Sequence, residues 1–509
     1  MKNTKIWRIV SAIVLAITLA AEAVTVFTIW RLDMLPLKYF AVLLAIFVLG
    51  TAAVAALMLQ RTGKWEKKKG HVKQIIAYVL CAILIAVCVV ASYAVSKLHN
   101  TVSNITNNTT VSALVGVYVL SDDPAVSIED AAGYTFAVTD SYDAENSKAT
   151  VTEIQELLSC EITTQNYDSS LAMIDALYTQ EVDAIILSDS YIGVLDALDD
   201  YSDFSEKTKV IFEHTIEKTI VSNTSSDDSA TEATVVPHDF DPTQDPFLLY
   251  ISGNDARRAL LADGASDVNI LVAVNPKDKQ ILLVNTPRDY FVANPAGDGA
   301  LDKLTHCGLY GIDNSVQAMS DLYGQPISYY AKINFTGFKT LVDAIGGVTI
   351  YSDISFSTTS YTYIQKGENH LNGTQALALA RERRNLSGGD NDRGKNQMKI
   401  IAAMIDQLSA SNLIANYADI LDSLEGMFTT SMPKETISQL VKMQLSDMAS
   451  WDVLSFAVTG DNGSDKPYAL GGLYAYVMYP HEDEVEFASQ LIGRVLNGEV
   501  LSEEDLTLN

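Results

Sequence analysis

Three long apolar stretches open the chain, at about residues 6–30, 36–60 and 72–95. Each is long enough to cross a bilayer as a helix. The connection between the second and third stretches carries six Lys/Arg residues, whereas that between the first and second carries two, so the former is predicted to lie in the cytoplasm. The N-terminus is then also inside and the third helix exits outward. Residues 1–98 are therefore predicted to be a multi-pass anchor in the cell membrane, with everything after them extracellular.

After a polar stalk at residues 99–110, short apolar strands alternate with amphipathic helices. Within residues 111–220, strands at GVYVL, YTFAV and DAIIL and helices at TVTEIQELLS and SSLAMIDALYTQ predict a small accessory domain of the α/β or α+β type. This region has no Gly-rich phosphate loop and no cluster of histidines, so a regulatory, ligand-binding or spacer role is expected. Residues 221–246 are rich in Ser, Thr, Asp and Pro, which is typical of a linker.

A second α/β pattern covers residues 247–498 and predicts a larger domain. Apolar runs FLLYISGND, VNILVAV and QILLVNT predict strands, and GFKTLVDAI predicts a helix that stops at Gly346 and Gly347. WDVLSFAVTG and LYAYVMYP predict further strands, and EVEFASQLIGRVLNG predicts a closing helix. The expected fold class is α/β, with three transmembrane helices, the accessory domain and the larger domain following one another.

Charge divides the chain along the same lines. The formal net charge is -28, yet residues 1–98 hold twelve Lys/Arg against three acidic residues, and the remainder holds 23 basic against 60 acidic residues. An acidic outer part argues against nucleic-acid binding, which needs a broad basic surface. The four cysteines show neither a disulfide framework nor zinc-ligand spacing, so their thiols are expected in the core.

One stretch, residues 371–399, gathers basic side chains on this acidic background and so suggests a local anion site. Arginine suits phosphate because its planar fork stays charged and can bond two oxygens. The apolar run before the cluster predicts a helix capped by Asn372 or Thr374, and the SGGD after it is expected to begin a polar loop. The alternative is a solvated helix end whose cations offset the helix dipole. The basic residues are Arg381, Arg383, Arg384, Arg393 and Lys395.

Carboxylates at predicted strand ends are further candidate site residues. Asp255 follows one strand, Asp267 starts the next, and Arg288 and Asp289 lie at the end of the strand after that. Each carboxylate alone is more commonly a cap or turn residue. Together with the arginines they suggest phosphoryl transfer, in which carboxylates hold a divalent cation and arginines bind phosphate oxygens.

Four segments within about residues 250–410 resemble the LytR–CpsA–Psr (LCP) family and follow the family's order. They are SDVNILVAVNPKDKQILLVNTPRDYF, DKLTHCGLYGIDNSVQ, YYAKINFTGFKTLVDAIGGVTIY and HLNGTQALALARERR…GDNDRGKNQ. The three-span anchor followed by an outer module is similar to the capsule-associated CpsA branch. The resemblance implies a catalytic domain with a central mixed sheet flanked by helices.

The resemblance also implies a metal-dependent phosphotransferase of cell wall biogenesis in Gram-positive-type envelopes. Such an enzyme moves capsular polysaccharide or a teichoic-acid-like polymer from undecaprenyl pyrophosphate to the 6-hydroxyl of N-acetylmuramic acid in peptidoglycan. The implied cofactor is Mg²⁺ or Mn²⁺, and release of phosphate from the lipid pyrophosphate is an expected side activity. A polyprenyl tail also needs an apolar groove, for which the helix around residues 335–345 is a candidate wall, although an ordinary core helix fits the same pattern.

Residue roles follow from motif position. Asp255 and Asp267 would bind the metal, and either is a candidate base for the attacking hydroxyl; with Arg288 they form the expected catalytic group. Ala265 stands where the family commonly carries arginine, so Arg257 or Arg258 would supply the missing charge, or pyrophosphate binding would be weaker. The expected pyrophosphate-binding residues are Arg288, Arg381, Arg383, Arg393, Gln397 and Lys303.

Two other functions stay open. A cell-envelope-related transcriptional attenuator would need the large domain in the cytoplasm and a basic DNA-binding surface, and the charge distribution opposes both. A non-catalytic envelope sensor would use the accessory domain and would not need Asp267. His306 is expected to be a packed or surface histidine rather than a general base, and Glu22 lies within the first span without an obvious partner.

Overall fold

The computed structural model describes residues 2–59, 67–107, 109–139, 143–195, 198, 200–220, 240–254, 264–409 and 427–508. The chain forms two compact units: Met1–Asn104 with Lys434–Ala449, and Ile105–Pro433 with Ser450–Asn509. Residues 434–449 thus group with the N-terminal helices although they lie inside the predicted range 247–498. Most of the predicted linker, residues 221–239, lies outside the described residues, as do Asp255, Arg257 and Arg258.

The first unit is helical. Three of its helices are long and apolar enough to cross a membrane, as predicted. The third continues past its apolar part to Asn107, so the segment expected as a stalk is largely helical. The helices are α1 (Lys2–Leu32), α2 (Leu37–Leu59), α3 (Lys67–Asn107) and α13 (Lys434–Asp447).

Glu22 has a hydrogen-bonding partner within this helical unit, contrary to expectation. The Thr51 hydroxyl on α2 donates to Glu22 Oε1 at 2.5 Å, and both residues are buried between the helices. A carboxyl group among apolar helices needs such a partner because burying it unpaired is costly. We therefore assign Glu22 a role in joining α1 to α2.

Helix α13 contacts the helical unit through three lysines. Lys442 Nζ lies 2.6 Å from Asp33 Oδ1 in the α1–α2 connection, and Lys38 Nζ donates to Ser446 O at 2.6 Å. Lys434 Nζ lies 2.8 Å from His99 Nδ1 near the end of α3. The α1–α2 connection and the C-terminal end of α3 are therefore on the same side of this unit as α13.

The second unit begins with the accessory domain, whose predicted strands and helices are all present. Its five-stranded sheet has the order β3-β2-β4-β1-β5, with β2 parallel to β3 and β4 and with β1 antiparallel to both of its neighbours. The strands are β1 (Thr109–Leu120), β2 (Thr135–Thr139), β3 (Thr163–Tyr167), β4 (Ala184–Ser188) and β5 (Thr208–Ile220). The helices are α4 (Ala144–Leu158), α5 (Ser170–Tyr178), α6 (Ile192–Leu195) and α7 (Phe204–Lys207).

The larger domain is built on a six-stranded mixed sheet of order β16-β11-β6-β7-β8-β17. The β11–β6 and β8–β17 pairs are parallel and the other pairs are antiparallel. The sheet strands are β6 (Phe247–Asn254), β7 (Val268–Asn275), β8 (Gln280–Asn285), β11 (Tyr329–Asn334), β16 (Phe428–Thr430) and β17 (Asp452–Ala457). The smaller strands are β9 (Phe291–Ala293), β10 (Leu301–Lys303), β12 (Val348–Ser352), β13 (Phe356–Ser357), β14 (Tyr363–Ile364), β15 (Gly367–Leu371), β18 (Gly460–Asp465) and β19 (Ala475–Pro480).

Helices cover both faces of this sheet, which is why β7 and β8 are continuous apolar runs rather than alternating ones. On one face, Leu248 and Leu271 pack with Met319 and Leu491 of two helices. A second core lies among the helices and the β12–β15 pair, where Val342, Leu379 and Ile400 meet. The helices are α8 (Leu304–Cys307), α9 (Ile312–Tyr323), α10 (Phe335–Ala344), α11 (Gly373–Ala380), α12 (Asp390–Ser409) and α14 (Glu482–Leu496). The predicted α/β class and mixed sheet are confirmed.

Three local expectations are settled by this fold. Asn372, not Thr374, caps α11: its side chain accepts from Gln375 N at 3.0 Å, and Gln375 Oε1 accepts from Asn372 N at 3.1 Å. The polar loop is short, because α12 already begins at Asp390, the last residue of SGGD. Among the cysteines, Cys160 is exposed rather than in the core, and the other three are buried.

The accessory and larger domains share a hydrophobic core within the second unit. Leu309 and Leu470 of the larger domain join a cluster that includes Leu171 of the accessory domain. The Tyr191 hydroxyl on the accessory side also donates to Ala469 O at 2.8 Å. The two domains therefore pack against each other directly.

Candidate active site

A cavity of about 370 Å³ lies between the sheet and helices α10, α11 and α12. Its walls are mostly apolar, with Ile251 and Ile333 from the sheet and Leu377 from α11. Besides Asn334, the polar side chains of the same lining are predicted site residues. They are Asp267, Arg288, Arg381, Arg383, Arg393 and Gln397.

One face of α12 forms much of the apolar wall. Its cavity-lining positions recur three or four residues apart, which is the spacing of one helical face. Phe335, Phe338 and Leu341 of α10 line the cavity from another side, so the predicted wall at residues 335–345 does border a cavity. The α12 face was missed from sequence, although the pattern NQMKIIAAMIDQLS contains the period. Its members are Gln397, Ile400, Ile401, Met404, Ile405 and Leu408.

Strand pairing brings Asp267 to Arg288. Asp267 N donates to Gly253 O at 2.7 Å, which holds the start of β7 against the end of β6. Because β7 and β8 are antiparallel, the residues just before β7 lie beside those just after β8. Arg288 Nη1 therefore donates to Asp267 Oδ1 at 2.7 Å.

Arg288 is also close to Asp289, and Lys303 approaches the same carboxylate. Arg288 Nε lies 3.5 Å from Asp289 Oδ2, and Lys303 Nζ lies 3.2 Å from Asp289 Oδ1. Burial alone would lower the pKa of Arg288, but the charges of Asp267 and Asp289 outweigh it and raise that pKa. Burial alone would raise the pKa of Asp289, but Arg288 and Lys303 lower it. Lys303 thus contacts Asp289 and does not line the cavity itself.

Arg393 forms a further ion pair at the site. Its Nη2 lies 2.5 Å from Asp390 Oδ1, three residues earlier in the first turn of α12. Burial raises the pKa of Asp390 despite the opposing charge of Arg393, and burial likewise lowers the pKa of Arg393. Gly394 lets the helix approach closely, because a Cβ at this position would lie 2.1 Å from Asn285 Nδ2 at the end of β8. This contact places Arg393 beside the strand end that carries Arg288.

Arg381 and Arg383 lie in the loop between α11 and α12, which a buried carboxylate anchors. The Arg381 guanidinium stacks over the Phe335 ring, 4.7 Å from its centroid. Glu382 between the two arginines is 1% exposed and accepts from Asn385 N at 2.9 Å and Thr359 Oγ1 at 3.0 Å. Burial would raise its pKa, but these backbone and side-chain hydrogen bonds lower it. Sequence reasoning missed Glu382, because its partners are distant in sequence or in an irregular loop.

Some buried polar atoms at the site lack a hydrogen-bond partner among the described residues. Arg288 Nε is one, although Asp289 Oδ2 lies 3.5 Å from it as an ion-pair partner, and both side-chain polar atoms of Asn254, at the end of β6 and outside the cavity lining, are others. Buried donors are normally satisfied, so an unmatched guanidinium N–H on a cavity wall is suited to an anionic ligand. An unmatched amide oxygen is likewise a suitable ligand for a hard cation.

Several predicted residues have other surroundings. Arg384 and Lys395 are exposed and do not line the cavity. His306 is buried, with Nδ1 2.6 Å from Asp302 Oδ1, so it is a packed histidine as expected. Ala265 packs against the core shared with the accessory domain, which gives a physical reason for an apolar residue where the family commonly carries arginine. The described part of the chain contains no group of three or more His, Cys, Asp or Glu residues placed to hold a metal ion.

Comparison with known proteins agrees with this architecture. The LytR_cpsA_psr family profile matches residues 210–485, more than half of the chain. A TagU from Bacillus mycoides, named as a polyisoprenyl-teichoic acid–peptidoglycan teichoic acid transferase, is 28% identical over 222 residues, which cover 43% of this chain and 72% of that protein. The TagU of Halalkalibacterium halodurans is 31% identical over 250 residues, which cover 49% of this chain and 79% of that protein.

Among solved structures, Bacillus subtilis TagV aligns with 26% identity and a TM-score of 0.42, covering 51% of this chain and 99% of its own. The family profile matches more than half of the chain, and the Halalkalibacterium halodurans relative is 31% identical and covered over 79% of its length, so the two together show the family. The chain belongs to the LytR_cpsA_psr family.

Proposed function

We propose that this protein transfers a cell-wall glycopolymer from a polyprenyl pyrophosphate carrier to peptidoglycan. The observation that carries the proposal is the junction of an apolar cavity with a cluster of arginines on its wall. A polyprenyl pyrophosphate has the matching parts, since its hydrocarbon tail needs an apolar enclosure and its phosphates need arginine forks. The names of the relatives supply the polymer class and the acceptor, teichoic acid and peptidoglycan.

The proposed reaction is a phosphoryl transfer. The 6-hydroxyl oxygen of N-acetylmuramic acid bonds to the phosphorus that carries the glycopolymer, and the bond from that phosphorus to polyprenyl phosphate breaks. The hydroxyl proton passes to a carboxylate, for which Asp267 at the cavity wall is the described candidate. Arg288 and Arg393 stabilise the negative charge on the phosphate oxygens, which is the main task of such a site.

A divalent cation, Mg²⁺ or Mn²⁺, fits this site if oxygen atoms of the bound substrate supply the ligands that the protein does not. Asp267 is a hard oxygen donor at the cavity, and Asn254 is a buried neighbour of Asp255 with an unmatched side-chain oxygen. Magnesium commonly takes one or two carboxylates and fills its remaining positions with phosphate oxygens and water. We propose that Asp267 and Asp255 hold the cation, which would neutralise charge on the pyrophosphate.

The catalytic domain is proposed to lie outside the cell. The charge distribution supports this, because the basic connection at residues 61–73 favours the cytoplasm and the third apolar helix then leads outward. A phosphatase fused to the C-terminus, active only outside the cytoplasm, tests the orientation. Activity of a reporter that works only in the cytoplasm, fused at the same position, would show the opposite orientation.

The function is tested with the full chain purified in detergent. Labelled polyprenyl pyrophosphate glycan and peptidoglycan are incubated with Mg²⁺ or with chelator, using wild type, Arg288→Ala and Asp267→Ala. Arg384→Ala is the matched control, because Arg384 belongs to the same basic stretch but is exposed and does not line the cavity. We expect metal-dependent transfer of label, a loss of about 10²–10³-fold in Arg288→Ala and Asp267→Ala, and little change in the control.

The other outcomes separate the remaining functions. Label that stays on the lipid with every donor, teichoic or capsular, would reject transfer and favour an envelope sensor. Phosphate release that occurs only without acceptor would identify the pyrophosphatase as a side activity. Transfer from one donor type alone would decide between teichoic acid and capsular polysaccharide.

A further inference from the structure

Two exposed tyrosines belong to the hairpin formed by β18 and β19: Tyr476 lies in β19 and Tyr474 directly before it. Tyr474 is 70% exposed and Tyr476 is 45% exposed. The hydroxyl of Tyr476 donates to Asn462 Oδ1 at 2.6 Å across the hairpin, which holds its ring in place. Val477 and Met478 of β19 are buried, so Tyr476 projects from a well-anchored strand and Tyr474 directly precedes that strand.

A chain of contacts connects Tyr476 to the proposed phosphate site. Met478 N donates to Asp289 O at 2.8 Å, which fixes β19 to the segment that carries Arg288. Lys303 bonds the Asp289 carboxylate and also lies 5.9 Å from the centroid of the Tyr476 ring. Burial, followed by the charges of Asp289 and Asp390, raises the pKa of Tyr476. Tyr476 therefore lies next to the charged cluster.

The chemistry of this surface is amphipathic. We define the tyrosine surface as Tyr474, Tyr476, Asn462, Lys303 and Lys466, the last of which has its Nζ 4.9 Å from the Tyr474 ring centroid. A tyrosine ring offers an apolar face and a polar hydroxyl. Such a face can pack on the C–H face of a sugar ring while amide, hydroxyl and ammonium groups bond the sugar oxygens. The exposed ammonium group of Lys466, on a chain of net charge -28, also favours an anionic group on the ligand.

The position of this surface relative to the cavity indicates that it binds the acceptor rather than the lipid carrier. In an in-line displacement the attacking and leaving oxygens lie on opposite sides of the phosphorus. The leaving polyprenyl phosphate belongs to the apolar cavity, whose lining includes Arg288 but neither Tyr474 nor Tyr476. From Arg288 the contacts run through Asp289 and Lys303 to Tyr476, and none of these last three residues lines the cavity.

We propose that the tyrosine surface binds the sugar rings of the peptidoglycan acceptor, with Lys466 facing carboxylates of its stem peptides. The inference rests on the proposed function, because that function makes peptidoglycan the acceptor. It assigns Tyr474 and Tyr476 as residues that set acceptor affinity, a role distinct from that of the arginines that bind pyrophosphate.

The test uses the full chain in detergent and two separate probes. The acceptor probe is a soluble peptidoglycan tetrasaccharide of alternating N-acetylglucosamine and N-acetylmuramic acid with stem peptides, and the donor probe is a short-chain polyprenyl pyrophosphate without glycan. Both are titrated calorimetrically into wild type, Tyr474→Ala, Tyr476→Ala and Tyr476→Phe. Tyr351→Ala on β12 is the control, since Tyr351 is 57% exposed and belongs to neither the tyrosine surface nor the cavity lining.

We expect each alanine variant to weaken acceptor binding about three- to tenfold, the loss that an aromatic stacking contact implies. Tyr476→Phe keeps the ring and should retain most of the affinity, and the Tyr351 control should match wild type. Donor-probe binding should stay within about twofold of wild type throughout, because the arginines are untouched.

The result that overturns the proposal is acceptor binding that is absent in wild type or unchanged in both alanine variants. Weakened binding of a glycan-bearing donor, with acceptor binding unchanged, would instead assign the tyrosines to the donor polymer and would also overturn it. Failure of the proposed function has another signature: wild type would bind the acceptor probe through the tyrosines but would not bind polyprenyl pyrophosphate.

Discussion

Replacing Arg288 by alanine removes the cation that lies between Asp267 and Asp289. Removing one partner of a buried ion pair typically costs about 3–5 kcal/mol, because the other charge is left without compensation. Here the side chains of Arg288 and Asp267 are 21% and 17% exposed, so water still screens part of that charge. Asp289 also keeps Lys303 at 3.2 Å. We therefore expect a loss of about 2–3 kcal/mol in the free energy of unfolding.

The assay is thermal unfolding of the full chain in detergent, followed by tryptophan fluorescence; one of the four tryptophans, Trp451, directly precedes β17 of the central sheet. A domain of this size loses roughly 2–4 °C in Tm for each kcal/mol, so Arg288→Ala should lower Tm by roughly 4–12 °C. Arg288→Lys is the matched control. Lysine keeps the positive charge and should recover most of the stability. It lacks the guanidinium group that can donate to Asp267 and to a phosphate at the same time, so pyrophosphate binding should stay weak.

A double-mutant cycle identifies the cause. Asp267→Ala in the Arg288→Ala background removes the uncompensated carboxylate, so the double variant should be less destabilised than the sum of the single changes by about 1–3 kcal/mol. Additive effects, or an Arg288→Ala variant with the Tm and pyrophosphate affinity of wild type, would refute the view that this ion pair organises the site.

Three further predictions concern acid stability, the cavity and the domain contact. Because the folded-state pKa of Asp289 is lowered, its ionised form contributes stability that is complete above its unfolded pKa of about 3.9 and is lost as pH falls through the lower folded value. Lys303→Met should move this loss to higher pH in a series of Tm measurements below about pH 5, and an unchanged profile would contradict the assigned role of Lys303. Met404→Trp should fill part of the cavity and weaken binding of a long polyprenyl pyrophosphate about tenfold, with inorganic pyrophosphate as the control that should be unaffected. Tyr191→Phe removes the hydrogen bond to Ala469 O and should cost about 1 kcal/mol. It should also speed amide hydrogen exchange at residues 468–472, and slow exchange there would show that apolar packing alone holds the domains together.

The local pattern of the chain determined which elements form and in what order. The apolar spans, the buried runs of β7 and β8, and the capped start of α11 were all predictable, because periodicity and capping depend on residues a few positions apart. The resemblance of four motifs to a known family added the mixed sheet and the identity of the charged residues. It could not show which of these residues meet.

Tertiary structure decided the contacts that make the site. Asp267 meets Arg288 because β7 and β8 pair in one register, and Arg393 approaches the same strand end because Gly394 lets α12 pack closely there. The anchoring of the arginine loop by Glu382 and the packing of Ala265 against the accessory domain likewise join distant segments. Such contacts depend on strand register and helix packing, which are set by the whole core rather than by any short stretch, so they are visible only once the chain is folded.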